Sequence, residues 1–220
     1  MTVSTTLPTT HRTARPLALD TRGAVALARR PWTLWCDPTP DGTSDHGPLR
    51  VRGAVPADLP FVARLHGRCS ADTLLQRYLT GGRAPSLAIV AGMLAEPLVL
   101  VAQAPGGEVV AMVSALRAPL RVGSDAVGGR ALSFGLVVED AWQRRGIGRA
   151  LAAHMAASAH LLGVRELVAD TAATTLPLRR VLDGVGPTRG SRTDLGSRLH
   201  TRLDMTSLSG LGSLRDVLAS

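Results

Sequence analysis

Residues 133–151 read Ser-Phe-Gly-Leu-Val-Val-Glu-Asp-Ala-Trp-Gln-Arg-Arg-Gly-Ile-Gly-Arg-Ala-Leu. The apolar run from Phe134 to Val138 predicts a β-strand, and the apolar positions from Ile147 onward recur at helical spacing. Glycines in the turn between them let the backbone approach a ligand closely. The first N–H groups of a helix lack helical partners and lie at its positive end, so this segment predicts an anion-binding site.

The spacing of the glycines distinguishes between the known phosphate-binding motifs. Gly146 and Gly148 are followed by Leu151, so the G-x-G-x-x-G dinucleotide pattern is absent. The P-loop pattern requires a lysine, and the sequence contains none. The pattern present is Gln-x-x-Gly-x-Gly with Arg144 and Arg145 inside the turn. Cations at a helix N-terminus are unfavourable unless an anion is bound, which favours a phosphate ligand.

This strand, turn and helix resemble the pyrophosphate loop of the GNAT superfamily of acyl-CoA-dependent N-acyltransferases. Residues 68–78 and 176–186 resemble two helical segments of the bacterial protein-lysine acetyltransferases in that superfamily, and the similarity covers roughly residues 49–205. The resemblance implies an α/β fold of the α+β type. Its mixed central sheet of about six to seven strands is flanked by helices and splayed between the fourth and fifth strands.

Three regions are expected along the chain. Residues 1–48 form an N-terminal extension that is partly disordered, residues 49–206 form the GNAT acyltransferase domain, and residues 207–220 form a tail that docks as a short helix. Within the extension, residues 17–36 are too apolar for a free segment. We expect them to pack either on the domain or on a partner.

Composition limits the partners. The net charge is +8, and all 25 basic residues are arginine, so anionic ligands such as CoA are favoured. Nucleic acid is disfavoured because aromatic residues are not interleaved with a basic tract. Two isolated cysteines predict neither a disulfide framework nor a metal site. The sequence shows no apolar run of membrane-spanning length and no signal pattern, so a cytoplasmic protein is expected. A homodimer is left open.

The resemblance assigns the ligand-binding residues. The strand backbone at Leu136, Val137 and Val138 would bind the pantetheine arm of acetyl-CoA, and the Leu136 N–H would face the thioester oxygen. The remaining expected CoA contacts are Gln143, Arg144, Arg145, Gly146, Ile147, Gly148, Arg149 and Thr175. Backbone from Arg144 to Arg149 would cradle the pyrophosphate, the three arginines would add charge, and Gln143 would brace the loop.

The usual catalytic side chains of the lysine-acetyltransferase group are missing. The position of its strand glutamate falls at Ser133, the position of a later tyrosine falls at Val185, and Thr175 replaces an asparagine. An amine must lose a proton before it attacks, so a substitute base is needed. The first candidate is Asp170 and the second is water held by Ser133. Glu139 and His66 remain as further alternatives.

The sequence therefore predicts a GNAT N-acetyltransferase that moves an acyl group from acyl-CoA to a primary amine, with a protein lysine as one candidate acceptor. The resemblance implies direct attack in a ternary complex. The alternative is a GNAT domain with little or no activity that binds acyl-CoA and regulates a partner protein, and the altered catalytic positions favour it. A nucleic-acid-binding regulator is a third hypothesis, which the composition disfavours.

Overall fold

The computed structural model describes residues 21–37, 47–79, 81–117, 131–172, 177–193 and 198–205. These ranges contain eight β-strands and six α-helices. None of the helices in them is long and apolar enough to cross a bilayer. The predicted helix within residues 207–220 and the expected CoA contact at Thr175 lie outside the described residues.

The eight strands form one mixed sheet. They are β1 (Trp32–Leu34), β2 (Leu49–Gly53), β3 (Val99–Gln103), β4 (Val109–Arg117), β5 (Ala131–Val138), β6 (Glu166–Ala172), β7 (Thr188–Thr193) and β8 (Arg198–Asp204). Their spatial order is β1-β2-β3-β4-β5-β6-β8-β7, and only the β5–β6 pair is parallel. The predicted mixed sheet is confirmed. It has more strands than expected because β1 pairs with β2.

The parallel pair separates along its length. β5 and β6 are in register only at Ala131 with Glu166, Leu132 with Leu167, and Ser133 with Val168. Beyond these residues both strands continue, but they no longer pair with each other. The predicted splay is therefore confirmed, and the strands numbered fourth and fifth from the sequence are β5 and β6. A gap between them opens after Ser133.

Hydrogen-bond alternation shows which backbone groups of β5 face this gap. The Glu139 N–H donates to the Val110 carbonyl at 2.9 Å, and β4 and β5 keep one continuous register from there. In an antiparallel ladder, alternate residues bond to the partner strand. Odd-numbered residues of β5 therefore bond to β4. The backbone N–H and C=O groups of Leu136 and Val138 point into the gap.

Helices cover both faces of the sheet. They are α1 (Thr21–Ala28), α2 (Leu59–Arg68), α3 (Ala71–Tyr78), α4 (Leu87–Leu94), α5 (Ile147–Leu161) and α6 (Pro177–Asp183). α1, α5 and α6 pack over one apolar cluster, and α2, α3 and α4 pack over another. The alternating side chains of β5 divide between the two clusters, with Phe134 on the α5 side and Val137 on the α3 side.

Part of the N-terminal extension packs on this sheet. α1 contacts α5, and β1 lies beside β2. The His154 Nε2 atom bonds to the Ala28 carbonyl at 3.0 Å, and the Trp32 ring stacks on the His154 ring with centroids 5.1 Å apart. We expected residues 17–36 to pack either on the domain or on a partner. Residues 21–36, the described part of this range, pack on the domain.

Candidate functional site

A cleft of about 290 Å³ lies where β5 and β6 separate. Four elements supply its walls: α3, the edge of β5, the turn before α5, and α6. The lining residues are Thr73, Gln76, Arg77, Leu136, Val137, Val138, Trp142, Gln143, Arg144, Gly148, Pro177, Leu178 and Val181. The structure thus brings the gap-facing edge of β5 and the glycine turn that follows it in the chain into one cavity.

The turn presents unpaired backbone donors to this cleft. Gly146 has φ +75°, and Arg144 has φ +60°, which is uncommon for a residue with a side chain. The Ala150 N–H donates to the Gly146 carbonyl at 3.0 Å, so the N–H groups of Ile147, Gly148 and Arg149 precede the hydrogen-bond ladder of α5. Such donors at the positive end of a helix suit an anion.

The Gln143 side chain ties the turn to its neighbours. Its Nε2 atom donates to the Val138 carbonyl and to the Thr73 Oγ1 atom, each at 3.0 Å. One amide therefore joins the end of β5 to α3. These contacts brace the loop, and they use the Gln143 Nε2 group as a donor to other protein atoms.

The acidic pair after β5 joins the strand to α2 and α3. Glu139 forms an ion pair with Arg68 at 2.9 Å, which accounts for its charge without a catalytic role. Asp140 accepts hydrogen bonds from the Ser70 N–H at 2.8 Å and the Ser70 hydroxyl at 2.7 Å, as well as from the Thr73 hydroxyl. Burial raises the pKa of the Asp140 carboxyl, but these hydrogen bonds outweigh it and lower the pKa overall.

The Arg145 side chain does not lie in the cleft. It is 2% exposed, its Nε donates to the Asp37 carbonyl at 3.0 Å, and its guanidinium lies 4.9 Å from the centroid of the Trp142 ring. The charge contribution expected of Arg145 is therefore wrong for this arrangement. Its side chain instead fastens the turn to the N-terminal extension, which the loop pattern alone could not reveal. Arg144 lines the cleft, and Arg149 is exposed on the first turn of α5.

Comparisons with known proteins agree with this geometry. A family model described as the GNAT acetyltransferase family matches residues 77–185, a range that contains the cleft turn and both splayed strands. Residues 77–185 belong to the GNAT acetyltransferase family. A comparison with curated proteins found no match.

Solved structures show the same fold. The GNAT domain of S. lividans PAT aligns with a TM-score of 0.65 and 22% identity, over 79% of this chain and 96% of that one. A Sinorhizobium meliloti phosphinothricin acetyltransferase in complex with acetyl-CoA aligns at 0.56 and 17%, over 70% and 86%. Vibrio cholerae spermidine N-acetyltransferase in complex with CoA and spermine aligns at 0.54 and 10%, over 73% and 97%.

Two candidates for proton transfer in this GNAT domain lie on the α3 side of the splay. Ser133 shares the parity of Val137, which packs in the α3-side cluster, and it stands where the gap opens. Leu167 and Ala169 pack in the α5-side cluster, so Asp170 points to the opposite side, where it is exposed. The structure thus gives both residues the same side of the sheet as α3.

The other candidates have structural partners. The His66 Nδ1 lies 2.7 Å from the Val62 carbonyl and must donate to it, which leaves Nε2 to accept from the Tyr78 hydroxyl. Burial lowers the pKa of His66, and the nearby Arg77 charge lowers it further.

Val185 is buried in the core. Burial raises the pKa of the Cys69 thiol to about 12, which disfavours a thiolate nucleophile.

α3 is the element of the GNAT cleft that the motif did not identify. Ser70 caps the start of this helix by accepting from the Thr73 N–H, but the cleft residues Thr73, Gln76 and Arg77 carry no recognisable ligand pattern. Their one signal is helical spacing, because residues three and four apart share a face. Within the described ranges, no group of three or more His, Cys, Asp or Glu residues could hold a metal ion.

Proposed function

We propose that this GNAT domain transfers an acyl group, most simply acetyl, from acyl-CoA to a primary amine. One observation carries the proposal: the gap-facing backbone of Leu136 and the helix start at Gly148 line the same cleft. A diphosphate joined to an extended amide-containing arm is a ligand that uses both features. A protein lysine is one candidate acceptor.

The residues present fit acyl-CoA. The N–H groups of Ile147, Gly148 and Arg149 have no helical partner and would bind pyrophosphate oxygens, with Arg144 adding charge. The backbone of Leu136 and Val138 has N–H groups directed into the gap, where the amides of the pantetheine arm would pair as an added strand does. The Val138 carbonyl already accepts from Gln143, so its N–H is the available partner.

The chemistry would be direct transfer. A neutral amine attacks the thioester carbon, a C–N bond replaces the C–S bond, and the amine proton passes to the departing sulfur directly or through water. The Leu136 N–H would donate to the oxyanion that forms, and one such donor is typically worth about 3–4 kcal/mol. Before this attack, Asp170, or water held by Ser133, would accept a proton from the ammonium form of the acceptor and so produce the neutral amine.

A second function is favoured by the replaced catalytic positions. Ser133 is not a base, and Val185 is only 7% exposed within the core. A GNAT domain with these residues would bind acyl-CoA and regulate a partner without turnover. The two functions share the cleft and differ only in whether CoA is released when an amine is supplied.

Two measurements on the purified protein separate these functions. Acetyl-CoA should raise the melting temperature under either function. Only the enzyme should release free CoA from acetyl-CoA when given a panel of amines that includes lysine peptides and small amines. Stabilisation without release from any amine would establish the binding function and remove the enzyme.

Asp170→Asn tests the proton acceptor. Turnover should fall, and the acidic limb of the pH–rate profile should move if Asp170 is the base. Glu166→Gln is the matched control because Glu166 lies on the same face of β6, at a position still paired with β5. An unchanged profile in Asp170→Asn would leave water at Ser133 as the proposed route.

A further inference from the structure

The Arg77 guanidinium is positioned against the splayed strand. It extends from α3 onto the face of β5 at Gly135, where a Cβ atom would overlap it. One Nη atom donates to the buried Ser114 hydroxyl at 3.0 Å, and the guanidinium lies 4.8 Å from the centroid of the Tyr78 ring. Arg77 also lines the cleft. A positive charge is thus held beside the gap by a glycine that leaves room for it.

This charge lacks a counter-ion in the part of the chain that the structure describes. Its contacts there are a hydroxyl and an aromatic ring, no ion pair involves it, and its Nε atom is buried without an acceptor. Burial lowers the pKa of the Arg77 guanidinium, and the Tyr78 hydroxyl acts in the opposite direction. A partly buried cation without a partner is costly, so an anionic group of a ligand would gain the most binding free energy beside Arg77.

The acceptor amine has to arrive on this side of the sheet. An acyl group bound along the edge of β5 has its carbonyl directed at the Leu136 N–H, and a nucleophile attacks a carbonyl from above or below its plane. The α5 face is closed there by the buried side chains of Phe134, Ile147 and Leu151. The α3 face carries Arg77, which lies against Gly135. It also carries Ser133, which is two residues before Gly135 and therefore roughly 7 Å along β5.

We propose that Arg77 binds a carboxylate of the acceptor, so that the acceptor is a small amine with a carboxylate near its amino group, such as an amino acid. This inference rests on the proposed acyl transfer and specifies its substrate class. The positive charge that anchors the carboxylate also disfavours a protonated amine beside it. The Arg77 charge therefore assists loss of the amine proton in a site where Ser133 replaces the strand glutamate of the lysine-acetyltransferase group.

The described lining of the cleft contains no aspartate or glutamate. Its two charged residues are Arg144, which is assigned to the pyrophosphate, and Arg77, which is left for the acceptor. A cleft selective for a polyamine or an isolated lysine side chain would need negative charge near the cation, because complementary potentials set specificity. The described walls are complementary to a carboxylate.

The first test compares amino acids with their carboxamides as acceptors. Amidation removes the negative charge and keeps the amine, so the native protein should favour each accepted acid over its amide by about 10- to 100-fold in kcat/KM. Arg77→Gln should reduce that preference to about threefold or less, and Arg77→Lys should keep part of it. Arg64→Gln, on an exposed site of α2, should leave the preference unchanged.

Gly135→Ala is a second variant that leaves Arg77 in place but displaces its guanidinium, so it should lower the same preference. Acetyl-CoA binding, measured by calorimetry, should persist in Arg77→Gln and shows that the variant is folded. Equal turnover of acids and amides by the native protein, or a preference for lysine peptides, would overturn the carboxylate site while leaving acyl transfer intact.

A binding measurement covers the case in which no amine is turned over. N-acetyl amino acids and their carboxamides are then titrated into the native protein and Arg77→Gln, each saturated with CoA. Selective binding of the acids by the native protein alone would support the carboxylate site even though acyl transfer had failed. Absence of any acid-over-amide difference would overturn it.

Discussion

Replacing Gly148 with valine should disable the cleft without unfolding the protein. Gly148 lies in the first turn of α5, on the cleft wall. A Cβ placed there would lie 3.2 Å from the Leu136 Cδ2 atom and 3.7 Å from the Val181 Cγ2 atom. The valine methyl groups would therefore project between β5 and α6, in front of the Gly148 N–H.

The size of the effect follows from what is blocked. A hydrogen bond to a charged group contributes about 1.5–3 kcal/mol, and preventing one phosphate oxygen from reaching the N–H should weaken CoA binding about 10- to 150-fold. The cost to folding should stay below about 1 kcal/mol. The 3.2 Å neighbour is the end of the flexible Leu136 side chain, and valine has a higher helix propensity than glycine.

The assay is isothermal titration of CoA, with urea unfolding as the measure of stability. Gly92→Val is the matched control, because Gly92 is also helical and its Cβ would meet nothing within 4 Å. The control should bind CoA as the native protein does. If Gly148→Val remains folded and its Kd for CoA stays within about threefold of the native value, the helix start is not the diphosphate site.

Three further results are expected. Arg145→Met should lower the free energy of unfolding by about 1–3 kcal/mol, because the bond to the Asp37 carbonyl is lost, as urea titration would show. Gln143→Leu should lower the favourable free energy of CoA binding by more than it lowers the free energy of unfolding, because the loop loses the side chain that braces it. Burial lowers the pKa of His66, so the unfolded chain binds its proton more readily. Native stability should therefore fall as the pH drops below about 6.5, and His66→Phe should flatten that fall.

Each result has an outcome that contradicts it. Arg22 is an exposed arginine, and Arg22→Met should change stability by less than about 0.5 kcal/mol; equal losses in the two arginine variants would refute the anchoring role of Arg145. A native CoA affinity in Gln143→Leu would show that the turn needs no brace. Parallel pH profiles for His66→Phe and the native protein would show that this ring does not set the acid limb.

The sequence predicted the part of the cleft that is formed by neighbouring residues in the chain. The strand, the glycine turn and the start of α5 are contiguous, and each follows from periodicity, glycine chemistry or the unpaired donors of a helix. These features need no knowledge of distant contacts.

The parts that were missed depend on long-range packing. Arg145 stands in the turn between two predicted ligands, yet its guanidinium contacts Asp37, which is more than a hundred positions earlier in the chain. The extra strand β1 exists because Trp32 and its neighbours pair with β2, and three residues carry too short a pattern to be recognised. Arg77 reaches the cleft because Gly135 leaves space for it, and that pairing joins a helix to a strand about sixty residues away.

Amide hydrogen exchange followed by NMR, with and without CoA, would show which backbone N–H groups of the cleft bind the ligand. CoA should slow exchange at Leu136 and Val138 in β5 and at Ile147, Gly148 and Arg149 in α5, because these N–H groups gain acceptors. Protection confined to other elements, or no protection despite measurable binding, would contradict the assignment of the diphosphate to α5 and of the arm to β5.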